Sequence, residues 1–191
     1  MKKYELTEET TNIFGKTLHR IRATRDFSNV HAGDLGGFIE NELNLSHDRD
    51  TWVYGNAWVY GNAWVYGEAR VYGNAWVYGE ARVGGNALVS GDARVGGKAL
   101  VSGNALVYGN ALVKGPRDIY WISCIGSRDG TTTFFRNANN SISVSCGCFY
   151  GTIDEFAAAV TKTHGDNEHA QAYRHAIEIA KLRIKLEDAE S

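Results

Sequence analysis

Valine recurs at every sixth residue from Val53 to Val113, glycine from Gly55 to Gly115 and alanine from Ala57 to Ala111. Ten consecutive hexads, of which VYGNAW is the first, fill Val53 to Leu112, and a partial VKGP ends at Pro116. A short strict period means that equivalent units stack on one another, so this stretch must form a solenoid.

Within a unit the residue types alternate. In Ala57-Trp58-Val59-Tyr60 the small and branched side chains occupy one parity and the large aromatics the other. Side chains alternate faces along a strand, so Ala57 and Val59 share one face while Trp58 and Tyr60 share the opposite one. Gly61-Asn62 follows as a corner that tolerates left-handed backbone. Ala and Val fit a narrow bore that would exclude Trp and Tyr. The pattern therefore predicts a coil with flat sides and outward-facing aromatics.

On these residues the chain resembles the left-handed parallel β-helix of hexapeptide-repeat proteins. The family's hexad opens with an aliphatic residue and carries a small residue at its fifth place, as in Val53 and Ala57 or Val59 and Ala63. The frequent Tyr at the second place (Tyr54, Tyr60, Tyr66, Tyr72, Tyr78) departs from the family, which prefers a small or acidic residue there. The resemblance implies three hexads per turn, and so between three and four turns in a rod roughly 18 Å long at a strand spacing of about 4.8 Å. Residues eighteen apart then stack into outer columns. One holds Trp58, Trp76, Arg94 and Leu112, a second Trp52, Arg70, Leu88 and Leu106, and a third Trp64, Arg82 and Leu100. An apolar exterior of this kind marks an interface, a ligand surface, or a surface that the rest of the chain covers.

The flanks do not follow the hexad. Residues 1–50 are expected to be an N-terminal β cap, with a hairpin over Tyr4–Leu6 and Thr17–Arg22, because a solenoid end exposes unpaired backbone. The Gly36-Gly37-Phe38-Ile39 segment followed by Asn44-Leu45-Ser46 is similar to uncharacterised hexapeptide-like proteins of bacteria and their prophages. Residues 51–116 are the β-helix. Residues 117–191 predict a small α+β module of three strands followed by two helices. Thr152 to Glu155 reads as a capping box, and Asp166 as the cap of a second helix whose inner stripe is Ala170, Tyr173, Ile177, Ala180 and Ile184. The fold class expected is mainly β: a left-handed parallel β-helix with three hexads per turn, an N-terminal β cap and a C-terminal α+β module.

Composition bounds the function. Net charge is −2, and Lys plus Arg against Asp plus Glu runs 7 to 9 in residues 1–50, 5 to 3 in 51–116 and 8 to 10 in 117–191. No segment has the basic stripe of a duplex nucleic-acid binder. No apolar run spans a bilayer and no signal-peptide core is present, and three cysteines, an odd number, argue against a secreted disulfide scaffold. The expectation is a cytoplasmic protein, in the host cytoplasm if phage-encoded.

Chemistry-bearing motifs are few. Cys146-Gly147-Cys148 could bring two thiols together, with His164 and His169 downstream; a zinc site, a reactive thiol and buried small side chains all fit. His164-Gly165-Asp166 lies between two helices, where amides at the start of the second favour an anion and Arg128 could add charge. Acyl transfer on hexapeptide helices uses a His general base, which the resemblance would place on the coils. None of the six histidines falls between residues 51 and 116, and the hexads carry no inserted loop. The sequence thus points to a non-enzymatic binding protein, without catalytic residues, metal or cofactor. Trp58, Tyr60, Trp64, Trp76 and Tyr78 would stack on a flat ring, and Arg70, Arg82, Arg128 and His164 would meet phosphate. The resemblance to phage proteins implies sequestration of a nucleotide-like small molecule or masking of a host defence protein. The alternatives are a structural homo-oligomerisation element and a hexapeptide-type acyltransferase.

Overall fold

The structure, a computed structural model, describes residues 2–187. Its centre is a parallel β-solenoid built from two-residue strands. These are β4 (Trp52–Val53), β5 (Trp58–Val59), β6 (Trp64–Val65), β7 (Arg70–Val71), β8 (Trp76–Val77), β9 (Arg82–Val83), β10 (Leu88–Val89), β11 (Arg94–Val95), β12 (Leu100–Val101), β13 (Leu106–Val107) and β14 (Leu112–Val113). Before them come β1 (Tyr4–Ile13), β2 (Lys16–Ala23), β3 (Leu35–Ile39) and a 3-10 turn at Glu42–Asn44.

Strands stack every eighteen residues. Trp58 pairs with Trp76, Trp76 with Arg94, and Arg94 with Leu112, all in parallel register. Three walls result. The first runs β3-β5-β8-β11-β14, the second β6-β9-β12, and the third β4-β7-β10-β13. Every Val and Ala of the repeat lies in the bore with at most 1 % exposure. The corners turn through glycines in left-handed geometry, as at Gly61 with φ 72°. The ladder strands are shorter than the four residues the alternation predicts, because at the corner the Ala amide turns back to the carbonyl of the preceding Tyr, as Ala57 N does to Tyr54 O.

The coil begins earlier than the hexads. Phe38 and Ile39 pair with Trp58 and Val59, and Leu45 bridges Val65. Ile39 and Leu45 are both fully buried, six residues apart, whereas Leu45 and Val53 are eight apart. Residues 38–53 therefore form a first coil with two extra residues in its last corner, and the cap proper is the β1–β2 hairpin with the loop that follows it. The extra residues sit near Asp48–Thr51, and Lys3 ties them down. Its fully buried Nζ donates to the carbonyls of Asp48 at 3.5 Å, Arg49 at 3.2 Å and Thr51 at 2.6 Å. The Tyr4 hydroxyl donates to Leu45 O at 2.7 Å. Asn44 Nδ2 bonds the carbonyls of Gly61 and Ala63, replacing a backbone rung.

The last coil is closed by an antiparallel sheet of β15 (Ile119–Ile125), β16 (Gly130–Arg136), β17 (Ile142–Cys146) and β18 (Phe149–Thr152). Strand alternation splits its side chains. Ile119, Trp121 and Phe135 continue the core of the bore, while Tyr120, Ile122 and Phe134 join a second core under α1 (Ile153–His164) and α2 (Glu168–Arg183). The sheet is thus a plate between rod and helices. Asp118 locks the junction: Oδ2 accepts from Lys114 N and Gly115 N, and its buried carboxylate lies 3.3 Å from Arg136 Nε. Arg136 also reaches Glu187 at 2.8 Å and holds that carboxyl below its ordinary pKa.

Two local expectations change. β18 is a fourth strand where the sequence predicts three, since Phe149–Thr152 runs straight into the helix cap and leaves no turn signal of its own. The cap of α2 is Asn167, whose side chain accepts from Ala170 N, whereas Asp166 pairs with Arg174 at 2.8 Å. The Thr152–Glu155 capping box is formed, and the inner stripe of α2 is buried from Ala170 to Ile184. Among the described residues no helix is long and apolar enough to cross a membrane.

Two outcomes test this frame. A Cβ on Gly37 would lie 2.5 Å from Ala57 O and 2.7 Å from Val53 Cγ1, so β3 can dock on the coil only without a side chain there. Gly37→Ala should lower stability to chemical denaturation by about 2–4 kcal/mol, while Gly115→Ala, with nothing near its new methyl, should stay close to the parent. Burial pushes the Lys3 ammonium down to about 8, with Arg25 assisting and Asp50 and Asp48 opposing. The folded chain releases this proton at a lower pH than the unfolded chain, so the destabilisation by the desolvated charge is full below pH 8 and fades as pH rises toward the unfolded value of 10.5. Between about pH 7.5 and 9.5 the parent should gain about 2 kcal/mol over Lys3→Met in urea unfolding.

Candidate functional site

The residues predicted to bind a ligand fall in four places. On the first wall, Trp58 and Trp76 stack at 5.1 Å with their planes 10° apart, and Tyr60 and Tyr78 stack at 5.6 Å. Guanidinium groups close the ladder at both ends: Arg20 lies 4.4 Å from the Phe38 ring and Arg94 lies 4.7 Å from Trp76. Ile13, Leu18 and Phe38 cover Tyr60, which is only 7 % exposed. This corrects the expectation that Tyr60 stacks on a ligand, because the hairpin extends the wall and folds its apolar face over the ring. Burial, and then Tyr78, raise the Tyr60 phenol pKa. Tyr78 lies across Gly96, where a Cβ would come within 2.3 Å of its Cζ. That contact explains the switch from Tyr to Gly at this column position eighteen residues later.

The third wall is covered at both ends. Trp52 is buried beneath Tyr4 and Phe27, and half-buried Arg70 donates to Ser28 Oγ at 3.3 Å. Tyr54 stacks on Tyr72 at 4.2 Å, and burial with that neighbour pushes its phenol up to about 12. At the far end Thr133 Oγ1 accepts from Leu106 N, and Tyr150 packs on Tyr108 at 4.6 Å.

The second wall is open. Trp64 is 42 % exposed and Leu100 44 %, and Arg82 between them faces solvent. Trp64 stacks on Tyr66 at 4.3 Å, so one face of each ring is already used. A groove along the adjoining corner, about 520 Å³, mixes Glu80 with Arg82 and Lys98 and has no aromatic ring. The walls therefore keep Trp58, Arg70 and the neighbouring pair Trp64 and Arg82 apart, on three separate faces.

Arg128 and His164 do converge. They line a cavity of about 340 Å³ in the C-terminal module, bounded by the β15–β16 turn, the β17–β18 hairpin and α1. Its inner surface is apolar, with Ile125, Phe149, Phe156, Val160 and Tyr173. The rings lock one another: Phe149 and Phe156 lie 5.2 Å apart, and Phe156 meets Tyr173 edge-on at 5.4 Å. Tyr173 passes so close under the β15–β16 turn that Gly126 is the residue that fits there. This turn carries Arg128 out at its tip, exposed and without an ion pair among the described residues. His164, in the last turn of α1, sits 5.9 Å from the Tyr173 ring.

The cysteine motif belongs to the same cavity, which both Cys146 and Cys148 line. Cys146 Sγ accepts a hydrogen bond from Thr132 Oγ1 at 3.1 Å and lies 3.5 Å from the Tyr173 hydroxyl. Burial, and then the Cys146 sulfur, push the Tyr173 phenol well above its ordinary value. Among the described residues no three His, Cys, Asp or Glu side chains are placed to hold a metal ion. The amides at the start of α2 do not line the cavity, and one of them, Ala170 N, donates to Asn167 Oδ1. Any anion here would rest on Arg128 and His164. Sequence reasoning found those two residues and the thiols but missed Phe149, Phe156 and Tyr173 as cavity walls, since each reads equally well as ordinary core.

Chemically, the cavity offers an apolar slot with Arg128 at its rim, a cation that has no ion pair among the described residues. Its volume lies in the range of small-molecule sites. Comparison with known proteins bears on the rod. The family described as the YdcK beta solenoid repeat matches residues 53–67, 81–97 and 99–115. No curated protein matches the chain.

Proposed function

We propose that the chain is a non-enzymatic binding protein that takes a small ligand with a flat apolar body and an anionic group, of the nucleotide-like class, into the C-terminal cavity. The observation that carries this reading is the pairing of an aromatic slot with Arg128, an exposed guanidinium that no described carboxylate neutralises. Aromatic walls favour flat rings, and a guanidinium favours phosphate or carboxylate. The rod then serves as a stiff mount whose aromatic columns mostly stabilise the coil itself. We read it as winding left-handed with three hexads per turn; the eighteen-residue register supports the count, and the aliphatic and small hexad positions support the hand. A phage-encoded protein of this design would lower the free concentration of a nucleotide-type defence signal in the host.

A second reading rests on the second wall. Exposed Trp64 and Arg82, residue types that anchor protein interfaces, stand beside exposed Leu100, so a homo-oligomer or a host protein would meet the rod there.

Native mass spectrometry of the chain after incubation with cell extract, and calorimetry against a panel of nucleotides, test the first reading. A retained small ligand is expected. Arg128→Gln should weaken its binding about tenfold, the equivalent of about 1.4 kcal/mol, and leave the unfolding midpoint unchanged. Unaltered binding by Arg128→Gln, or a chain that stays bare while Trp64→Ala abolishes an oligomer, would replace this reading with the second.

A further inference from the structure

The geometry points to Cys146 and Cys148 as a dithiol that exchanges with small-molecule disulfides at the cavity mouth. Strands β17 and β18 are joined by Gly147-Cys148 alone, since Cys146 and Phe149 are cross-strand partners. Gly147, at φ 57°, supplies the left-handed first position of such a two-residue turn. Two residues of chain reach at most about 7 Å, and a tight turn shortens this into the window of about 4.4–6.8 Å between the Cα atoms of a disulfide. Both residues line the same cavity.

Their environments differ in the way an exchanging pair needs. Cys148 is exposed and open to attack, whereas Cys146 is half-buried. The Cys146 sulfur is met by Thr132 Oγ1 at 3.1 Å and the Tyr173 hydroxyl at 3.5 Å, two O–H groups that stabilise sulfur when it carries negative charge. Arg128 on the same rim draws an anionic disulfide such as glutathione disulfide to the mouth. The third cysteine, Cys124, is exposed on β15 and does not line the cavity.

The exchange balances without any other reagent. The Cys148 thiolate attacks one sulfur of glutathione disulfide, forming a mixed disulfide and expelling one glutathione thiolate. The Cys146 thiolate then attacks the Cys148 sulfur, forming the intrachain S–S bond and expelling the second. The two protons lost by the cysteines end on the two glutathione thiols. The linked hairpin tip changes the cavity mouth, so oxidation would also regulate access for a ligand. The thiol chemistry itself uses the cavity but does not depend on the ligand proposed above.

The full chain carrying Cys124→Ser, incubated folded with excess glutathione disulfide, tests this. The tryptic peptide 137–162 holds both remaining cysteines. It should lose the mass of two hydrogens, resist alkylation by iodoacetamide, and recover both alkylation sites after reduction with dithiothreitol. Adding Cys146→Ser should stop the reaction at a stable glutathione adduct on Cys148. Adding Cys148→Ser should leave Cys146 unmodified until the chain is unfolded. Two alkylated cysteines in peptide 137–162 after treatment, or a glutathione adduct that persists with both thiols present, would overturn the proposal. Nucleotide calorimetry on the reduced protein reads the binding proposal separately, so failure of one is distinguishable from failure of the other.

Discussion

Two small side chains per hexad, one Ala and one Val, fill the bore of the rod, and the rest of the rod depends on that filling. Along the hexads Ala and Val line this bore, and the Trp, Tyr, Leu and Arg that alternate with them point outward. The same packing fixes the eighteen-residue register, because a slip by one residue would drive the aromatics inward. Backbone hydrogen bonds then run along the rod from rung to rung, as from Trp58 N to Ala75 O and from Trp76 N to Ala93 O. Such a stack is self-consistent in its middle and unfinished at both ends.

The ends are closed by unlike devices. At the start, the first coil departs from the hexad by two residues, and the buried Lys3 ammonium holds the irregular corner by its carbonyls. The interaction is a charge taken out of water for three acceptors, and it sets a pH dependence into the cap. At the far end a sheet lies across the bore, with Phe135 turned to the rod and Phe134 turned to the helices. One strand thus serves two cores. The plate that seals the solenoid also forms the back of the cavity.

Much of this was readable in advance. The period predicted the rungs and the outer columns from Trp52 to Leu112, because a solenoid places residues by local spacing alone. The capping box at Thr152 and the buried stripe of α2 were equally local. What escaped was anything decided by distant segments. Tyr60 reads like Tyr66 in the sequence, yet one lies under the β1–β2 hairpin and the other is half-exposed beside Trp64. Arg128 and Cys148 are twenty residues apart in unrelated turns, and only the pairing of β16 with β17 brings them to one cavity.

The sequence by itself determined the solenoid: its rungs, its bore of Ala and Val, and the outward direction of its aromatics all follow from one six-residue period and the steric limit of the interior. The tertiary structure decided which walls stay open. It also brought a cation, thiols and an aromatic slot together in the C-terminal module. Cover and convergence are contacts between segments far apart in the chain, and no local pattern of side chains encodes them.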